Sequence, residues 1–343
     1  MSQTLRIGFV GAGGNTRRKH IPGFRAIDNV ELLGVVNRSE ASSKAVAEEF
    51  DIPRTYATWQ QLVDDPEVDA VCIGTWPYMH APVTIASLEA GKHVLCEARM
   101  AASLPEARAM LEVSRANPEL VAQVVPSPFT LTVDGTVQEM IAEGFLGDVL
   151  AVELRAGGGF IDPEAPMSWR HDIDYSGINT MSLGIWYEAL MRWIGPARRV
   201  AAMAKTCVPM RPDESGTRRA MPIPDHLNII AEMACGAQAC MTVSSACGLS
   251  GEPEAFLYGS KGTLRITGDR VFGGTREEDQ LEEIPIEPEL KGRWRVEEEF
   301  VEAIRGRGKV TLTTFEDGLR YMAFTDAVLQ AARTGQTVPV ENT

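Results

Sequence analysis

The run Arg6-Ile7-Gly8-Phe9-Val10-Gly11-Ala12-Gly13-Gly14 constrains this chain more than any other segment. An apolar stretch of strand length delivers the backbone directly into a cluster of glycines. Gly11 can take a φ that a side chain forbids, and Gly13 lets the main chain approach a pyrophosphate closely. A helix after such a loop aims its unpaired N–H groups at that phosphate. The third glycine of a G-x-G-x-x-G pattern falls at Thr16, so the pattern is incomplete. Its context supports it, because a second strand, Val30 to Val36, closes a βαβ unit of the expected length. Gly11, Gly13, Gly14 and Asn15 are therefore read as the phosphate loop of a dinucleotide site.

The end of the second strand bears on which dinucleotide. An NAD site usually places a carboxylate there for the ribose 2′-hydroxyl. Here the residues are Asn37-Arg38-Ser39. Arg38 can pair with a 2′-phosphate, and Ser39 can donate to the same group. Arg17-Arg18-Lys19 opens the following helix, where cations oppose the macrodipole unless an anion binds nearby. The competing reading makes these solvated surface charges and Ser39 a helix cap. The expectation is NADP, with NAD the lesser candidate.

At 343 residues, 44% of them hydrophobic, the chain has room for two ordinary cores. Its 33 basic and 47 acidic residues leave a formal charge of −14, which argues against nucleic acid and anionic membranes as partners. The start is short and polar, and no apolar run approaches a membrane span. The six cysteines lack C-x-x-C spacing, and Cys72 and Cys96 read as buried thiols of a cytoplasmic protein. The histidines are scattered, so no metal site is expected.

Up to residue 125 short apolar strands alternate with amphipathic helices, over Ala70 to Gly74, His93 to Cys96 and Val121 to Val125. Thr58 with Gln61 and Ser103 with Glu106 form possible capping boxes. This predicts an α/β N-terminal Rossmann domain, a doubly wound parallel sheet, over residues 1–125. From 126 to 343 strand-like runs follow one another, including Val149 to Arg155, Leu227 to Met233 and Ala239 to Ser244. That predicts an α+β C-terminal domain with a large, mostly antiparallel sheet. Its helices are expected over Gly177 to Ile194, Val296 to Ile304 and Phe315 to Arg333, the last packing back between the domains. Few charges on Ala239 to Ser244 point to a covered face, hence a homodimer or homotetramer.

Together these motifs resemble the glucose–fructose oxidoreductase / inositol dehydrogenase / MocA family. Thr75-Trp76-Pro77-Tyr78-Met79-His80 is similar to that family's Thr-Pro-Asn-x-x-His segment beside the cofactor. Ala90 to Glu97 is similar to the strand leading to its Glu-Lys-Pro motif. Trp169-Arg170, Ser176-Gly177 and Leu183-Gly184 resemble the start of its active-site helix, and Gly259 to Leu264 a late hairpin. The resemblance implies hydride transfer on sugars, polyols or sugar-derived acids. It adds Thr75, Trp76, His80 and Glu97 to the cofactor-binding set.

Departures from that pattern fall on its chemistry. Ala98-Arg99 stands in place of Lys-Pro, and Ser182 and Trp186 in place of the family's Asp and His. Removing hydride from an alcohol also requires removing the hydroxyl proton, for which a positioned base is worth about 10²–10⁴-fold. Ser182, Trp186 and Arg99 do not titrate near neutrality. His171 is the nearest group with a suitable pKa, and Asp172, Asp174, Tyr187 and Glu188 are the other ionisable neighbours. His171 and Arg99 are thus the candidate catalytic residues, Arg99 as an anion binder. Trp169, Arg170, Asn179, Ser182 and Trp186 are the candidate substrate pocket, the last three read as one helical stripe. Two further functions fit the same pattern: a lyase or hydrolase on glycosides with a tightly held dinucleotide, and a non-catalytic cofactor-binding protein.

Overall fold

The computed structural model describes residues 4–341. The chain divides into two compact units, one running to Pro126 and including Arg295–Leu319, the other made of Ser127–Trp294 and the residues from Arg320.

In the first unit, among the described residues, six parallel strands form one sheet. They are β1 (Leu5–Val10), β2 (Val30–Val36), β3 (Arg54–Thr55), β4 (Ala70–Ile73), β5 (His93–Cys96) and β6 (Ala122–Val124). Their order is β3-β2-β1-β4-β5-β6, which reverses between β1 and β4. A reversal of that kind opens a crevice at the carboxyl ends of the strands. Ile7, Phe9, Val35, Ile73 and Leu95 are fully shut from solvent, as strands covered on both faces require. The connecting helices are α1 (Ile21–Arg25), α2 (Glu40–Glu49), α3 (Trp59–Asp64), α4 (His80–Glu89) and α5 (Leu104–Ala116). Both anticipated caps form, Thr58 Oγ1 accepting from Gln61 N at 3.3 Å and Ser103 Oγ from Glu106 N at 3.4 Å. The reciprocal bonds reach one residue further back, from Ala57 N to Gln61 and from Ala102 N to Glu106.

The second unit contains α6 (Leu131–Ala142), which the sequence pattern does not single out, then β7 (Val149–Gly157), α7 (Ile173–Ser176), α8 (Leu183–Ile194) and β8 (Ala197–Lys205). A small hairpin, β9 (Met210–Pro212) with β10 (Arg218–Ala220), precedes β11 (His226–Met233), β12 (Gln238–Ser244) and β13 (Glu254–Gly259). β14 (Gly262–Thr267), β15 (Arg270–Thr275) and β16 (Glu282–Ile284) follow. With β17 (Val338–Pro339), nine of these strands, among the described residues, form a sheet ordered β16-β15-β14-β13-β7-β12-β11-β8-β17. Every pairing is antiparallel except β7 with β12. β11 shows the expected period of two: Leu227, Ile229, Ala231 and Met233 are buried, while Asn228, Ile230 and Glu232 face out or toward the edge.

Two expectations are corrected. The helix read over Gly177 to Ile194 is interrupted, because Gly177 and Met181 have φ of 63° and 47°. α8 therefore begins at Leu183 with Ser182 at its N-cap, and Asn179 lies in the preceding turn, off the stripe of Ser182 and Trp186. Arg295–Leu319, read with the second domain, belongs to the first unit. Here α9 (Val296–Ile304) buries Phe300 against Phe24, and Glu299 accepts from Gln123 Nε2 at 2.8 Å. Then α10 (Phe315–Thr334) leads into the second unit, where Phe324 stacks on Tyr187.

Candidate functional site

Four loops converge at the carboxyl ends of β1, β2, β4 and β5. Gly11 follows β1 with φ 84°, and a Cβ there would lie 2.6 Å from Thr75 Cγ2. Gly14 meets nothing within 4 Å of an added Cβ, so the loop backbone stands open on that side. Thr16 is buried, and its hydroxyl donates to Gly11 O at 3.3 Å. A Cβ on Gly74 would overlap both Thr16 Oγ1 and Gly11 O. The small residue missing at position 16 is thus supplied from the opposite strand, by Gly74.

Asn37 ties the loop to β2. Its Oδ1 accepts from Ala12 N at 2.7 Å, and its Nδ2 donates to Ser42 O at 3.1 Å. Arg38 is exposed, lies 5.4 Å from the Trp76 ring centroid and pairs with no carboxylate in the salt bridges among the described residues. Ser39 caps α2, accepting from Ser42 N at 3.3 Å. Two adjoining cavities of about 260 and 300 Å³ share Gly11, Asn37, Arg38, Thr75 and Tyr78. One continues along the glycine loop to Gly13 and Trp76, the other toward Ala57 and Trp59. Thr75 Oγ1 is buried there with no hydrogen-bond partner among the described residues. A buried orphan hydroxyl, an open glycine backbone and an exposed guanidinium fit a dinucleotide ligand.

The cations after the loop do not await that ligand. Arg17 pairs with Glu49, and Arg18 Nε donates to Gly14 O at 3.1 Å. They precede α1 on a π-helical turn, Thr16–His20, rather than on the α-helix expected from the sequence. His80 is buried, its two ring nitrogens lying 2.9 Å from Arg99 O and 3.0 Å from Thr75 O, so it braces two loops. Glu97 closes β5. Its Oε1 accepts from the Asn15 side chain and contacts His20 Nε2 at 3.0 Å, and its Oε2 accepts from Ala98 N at 3.2 Å. Burial pushes the Glu97 carboxyl up, but the His20 hydrogen bond and charge outweigh it and hold it low. Arg99 is buried and joined to Ala98 by a cis peptide.

The remaining candidates lie in the second unit. Trp169 and Arg170 sit on a short helical turn, the guanidinium 4.3 Å from the indole centroid. His171 is half-buried and its Nδ1 accepts from Ser168 N at 3.0 Å. Burial, then Arg211, pushes its pKa down, leaving a neutral ring at pH 7. Asn179 is buried and donates to Ser176 O at 2.7 Å. Trp186 is 8% exposed and stacks on Phe129 at 4.9 Å. Tyr187 OH accepts from Ala197 N, Glu188 accepts from Ser127 N, and Asp172 caps α7, so these ionisable neighbours have structural duties. Among the described residues no group of three or more His, Cys, Asp or Glu is placed to hold a metal ion. No helix there is long and apolar enough to cross a membrane.

Two family models match the chain. Residues 5–124 match an oxidoreductase family with an NAD-binding Rossmann fold, and residues 135–265 match a GFO/IDH/MocA C-terminal domain. The chain belongs to the Gfo/Idh/MocA family. Levoglucosan dehydrogenase of Pseudarthrobacter phenanthrenivorans is 26% identical over 62% of this chain and 57% of that protein. The match thus spans little more than half of that relative. Glucose-fructose oxidoreductase domain-containing protein 2 of Xenopus tropicalis is 27% identical over 98% of this chain and 94% of that protein. A solved levoglucosan dehydrogenase in complex with NADH and L-sorbose has the same fold, with TM-score 0.88 and 21% identity over 98% of this chain and 99% of that one.

His20 and Glu297 carry no signal in the sequence. Each is an ordinary polar residue in its own segment, and only their meeting across 277 positions makes them notable.

Proposed function

We propose that this family member is an NADP(H)-linked oxidoreductase acting on a sugar, polyol or sugar-derived acid. The observation that carries the cofactor choice is Arg38, without a carboxylate partner at the cavity shared by the β1 and β2 loops, beside an Asn37 whose amide is already engaged. A 2′-phosphate suits an open guanidinium, whereas a 2′-hydroxyl lacks its usual carboxylate acceptor. Gly11, Gly13, Gly14 and Asn15 would hold the pyrophosphate side and Thr75 Oγ1 would find its missing partner in the ligand. The bound dinucleotide supplies the hydride acceptor or donor; the chain supplies binding, orientation and exclusion of water.

The relatives named as dehydrogenases of levoglucosan and of trans-1,2-dihydrobenzene-1,2-diol support a small hydroxylated substrate. Trp169, with Arg170 over its ring, offers an indole face suited to a sugar ring and a cation suited to an acid. His171 is the ionisable group proposed for the proton in place of Ala98, Ser182 and Trp186, and because its Nδ1 lone pair accepts from Ser168 N–H, taking a proton there requires that bond to break. We further propose a homodimer or homotetramer built on the open face of the nine-stranded sheet.

Absorbance of NADPH, followed in both directions against a panel of polyols, aldoses and sugar acids, tests the activity. Turnover with none of them in either direction would refute it. One observation favours a second reading: the residues in place of the family's Lys, Asp and His cannot move a proton. A glycoside lyase or hydrolase that keeps its dinucleotide through each turnover fits that pattern, and cofactor surviving exhaustive dialysis would decide for it.

A further inference from the structure

The turn that follows the glycine loop carries a buried charge that the reading above does not use. Ile21 N–H donates to Thr16 O, five residues back, so the helix is wide here. Arg17, Arg18 and Lys19 remain accessible to solvent, while His20 is fully buried. Its Nδ1 lies 2.5 Å from Glu297 Oε1 and its Nε2 lies 3.0 Å from Glu97 Oε1. Ionised carboxylates only accept, so the ring that satisfies both contacts is an imidazolium with two N–H donors. Glu97 passes the arrangement on, because the same Oε1 accepts from the side chain of Asn15, next to Gly14 in the phosphate loop. Gly23 leaves room for Glu297, since a Cβ there would lie 2.7 Å from the Glu297 carboxyl carbon.

We infer that His20 is a positioning residue for the dinucleotide. It holds Glu97 in place as a carboxylate and, through Glu97, fixes the Asn15 amide at the mouth of the phosphate loop. This rests on the dinucleotide reading of that loop. A buried ion cluster is a poor device for stability alone, since packed apolar groups do as well or better. Its geometry is what a preorganised binding loop requires, because ordering the loop in advance lowers the cost of binding.

The titratable groups facing His20 are Glu97 from the end of β5 and Glu297 from α9. Around Glu97 stand Cys72 on β4, His80 on α4 and the neighbouring Cys96 on β5, whose thiol burial pushes up. Burial and then the two carboxylates push the Cys72 thiol well up, and burial holds His80 low, so both stay neutral at pH 7. Burial pushes His20 down, but Glu297 and then Glu97 more than offset it and raise it from 6.5 to about 9. Because the folded pKa is the higher, the imidazolium's contribution is complete below pH 6.5 and is lost as pH rises through about 9.

The test measures NADPH and NADH affinity by calorimetry at 25 °C from pH 6.5 to 10, with wild type, His20→Gln and Glu97→Gln. Wild-type affinity should fall on the order of tenfold across the upper part of that range, the loss of a charge-assisted bond. His20→Gln should bind about that much more weakly at pH 7 and show a flat profile above it. Glu97→Gln, which keeps a side-chain acceptor, should show the same flattening and serves if His20→Gln does not fold. A purely structural role would change melting temperature and leave the affinity profile of folded protein alone. If wild type and both variants share one affinity and one pH profile, His20 is not a positioning residue. If wild type binds neither dinucleotide at any pH, the cofactor reading itself has failed and takes this one with it.

Discussion

In the function proposed here, cofactor binding turns on a few individual side chains. Arg38 has no carboxylate partner in the salt bridges among the described residues, and it stands just past the end of β2, lining a cavity that also takes in the loops after β1 and β4. Arg38→Ala should narrow the affinity gap between NADP(H) and NAD(H) by about 1.5–3 kcal/mol, the range for a hydrogen bond to a charged group. Calorimetry with both cofactors checks this; equal affinities that the substitution leaves unchanged would refute the preference. Ser39 is less committed to that role than its type suggests, because its oxygen already caps α2. Gly74 is the second decisive residue. Thr16 fills the space that a third loop glycine would leave, and Gly74 gives that space back from β4's end. Gly74→Ala should therefore destabilise the protein by about 1–3 kcal/mol through overpacking, read as a lower denaturant midpoint. A neutral Gly74→Ala would show that the loop yields easily.

At the scale of elements, α8 carries the contrast between family pattern and actual chemistry. Its apolar face is buried nearly end to end, from Leu183 through Ala189, Leu190 and Ile194. Ser182 stands at the N-cap, and Trp186, one turn on, packs its ring on Phe129. Restoring the family's groups by Ala98→Lys, Ser182→Asp and Trp186→His together should not produce polyol oxidation. An imidazole is far smaller than an indole, so it would leave a void beside Phe129 and a ring with nothing to orient it. The NADPH absorbance assay decides; robust oxidation by the triple variant would mean the site is otherwise intact and only those groups were lost. The stripe of Asn179, Ser182 and Trp186 read from spacing fails at its first member. Left-handed backbone at Gly177 and Met181 breaks the helix before it reaches Asn179, and side-chain spacing carries no signal of that.

At the scale of the whole molecule, the outer face of the large sheet poses a solvation problem. One row across it reads Ala201, Ile230, Cys240, Glu153, Phe256, Arg265, Phe272. Ile230 is 53% exposed, and Met203 on the same face is 77% exposed. Among β12's outward residues Gln238, Cys240 and Thr242 there is no charge. Exposed Ile230 and Met203 lie among the ion pairs Arg199–Glu232 and Arg155–Glu254 on this face, and it is here that we propose association. Light scattering at micromolar concentration should report a dimer or tetramer, and Met203→Glu with Ile230→Glu should shift it toward monomer. A wild-type monomer at physiological salt would contradict the proposal.

Much of this protein is legible in the order of its residues alone. Hydrophobic period, glycine placement and capping residues are local, so the parallel sheet, the later antiparallel sheet and the glycine turn after β1 all follow from short stretches of chain. Glycines at 11, 13 and 14 with a strand on either side leave few alternatives for the backbone. Tertiary structure decided what depends on groups far apart in the chain. Gly74 replacing a glycine missing at Thr16, Arg17 spent on Glu49, and Arg295–Leu319 returning to the first unit are all of this kind. The meeting of His20, Glu97 and Glu297 is the clearest instance. A charge's pKa and partners are set by whatever surrounds it in space, and no periodicity in the chain encodes a contact made across most of its length.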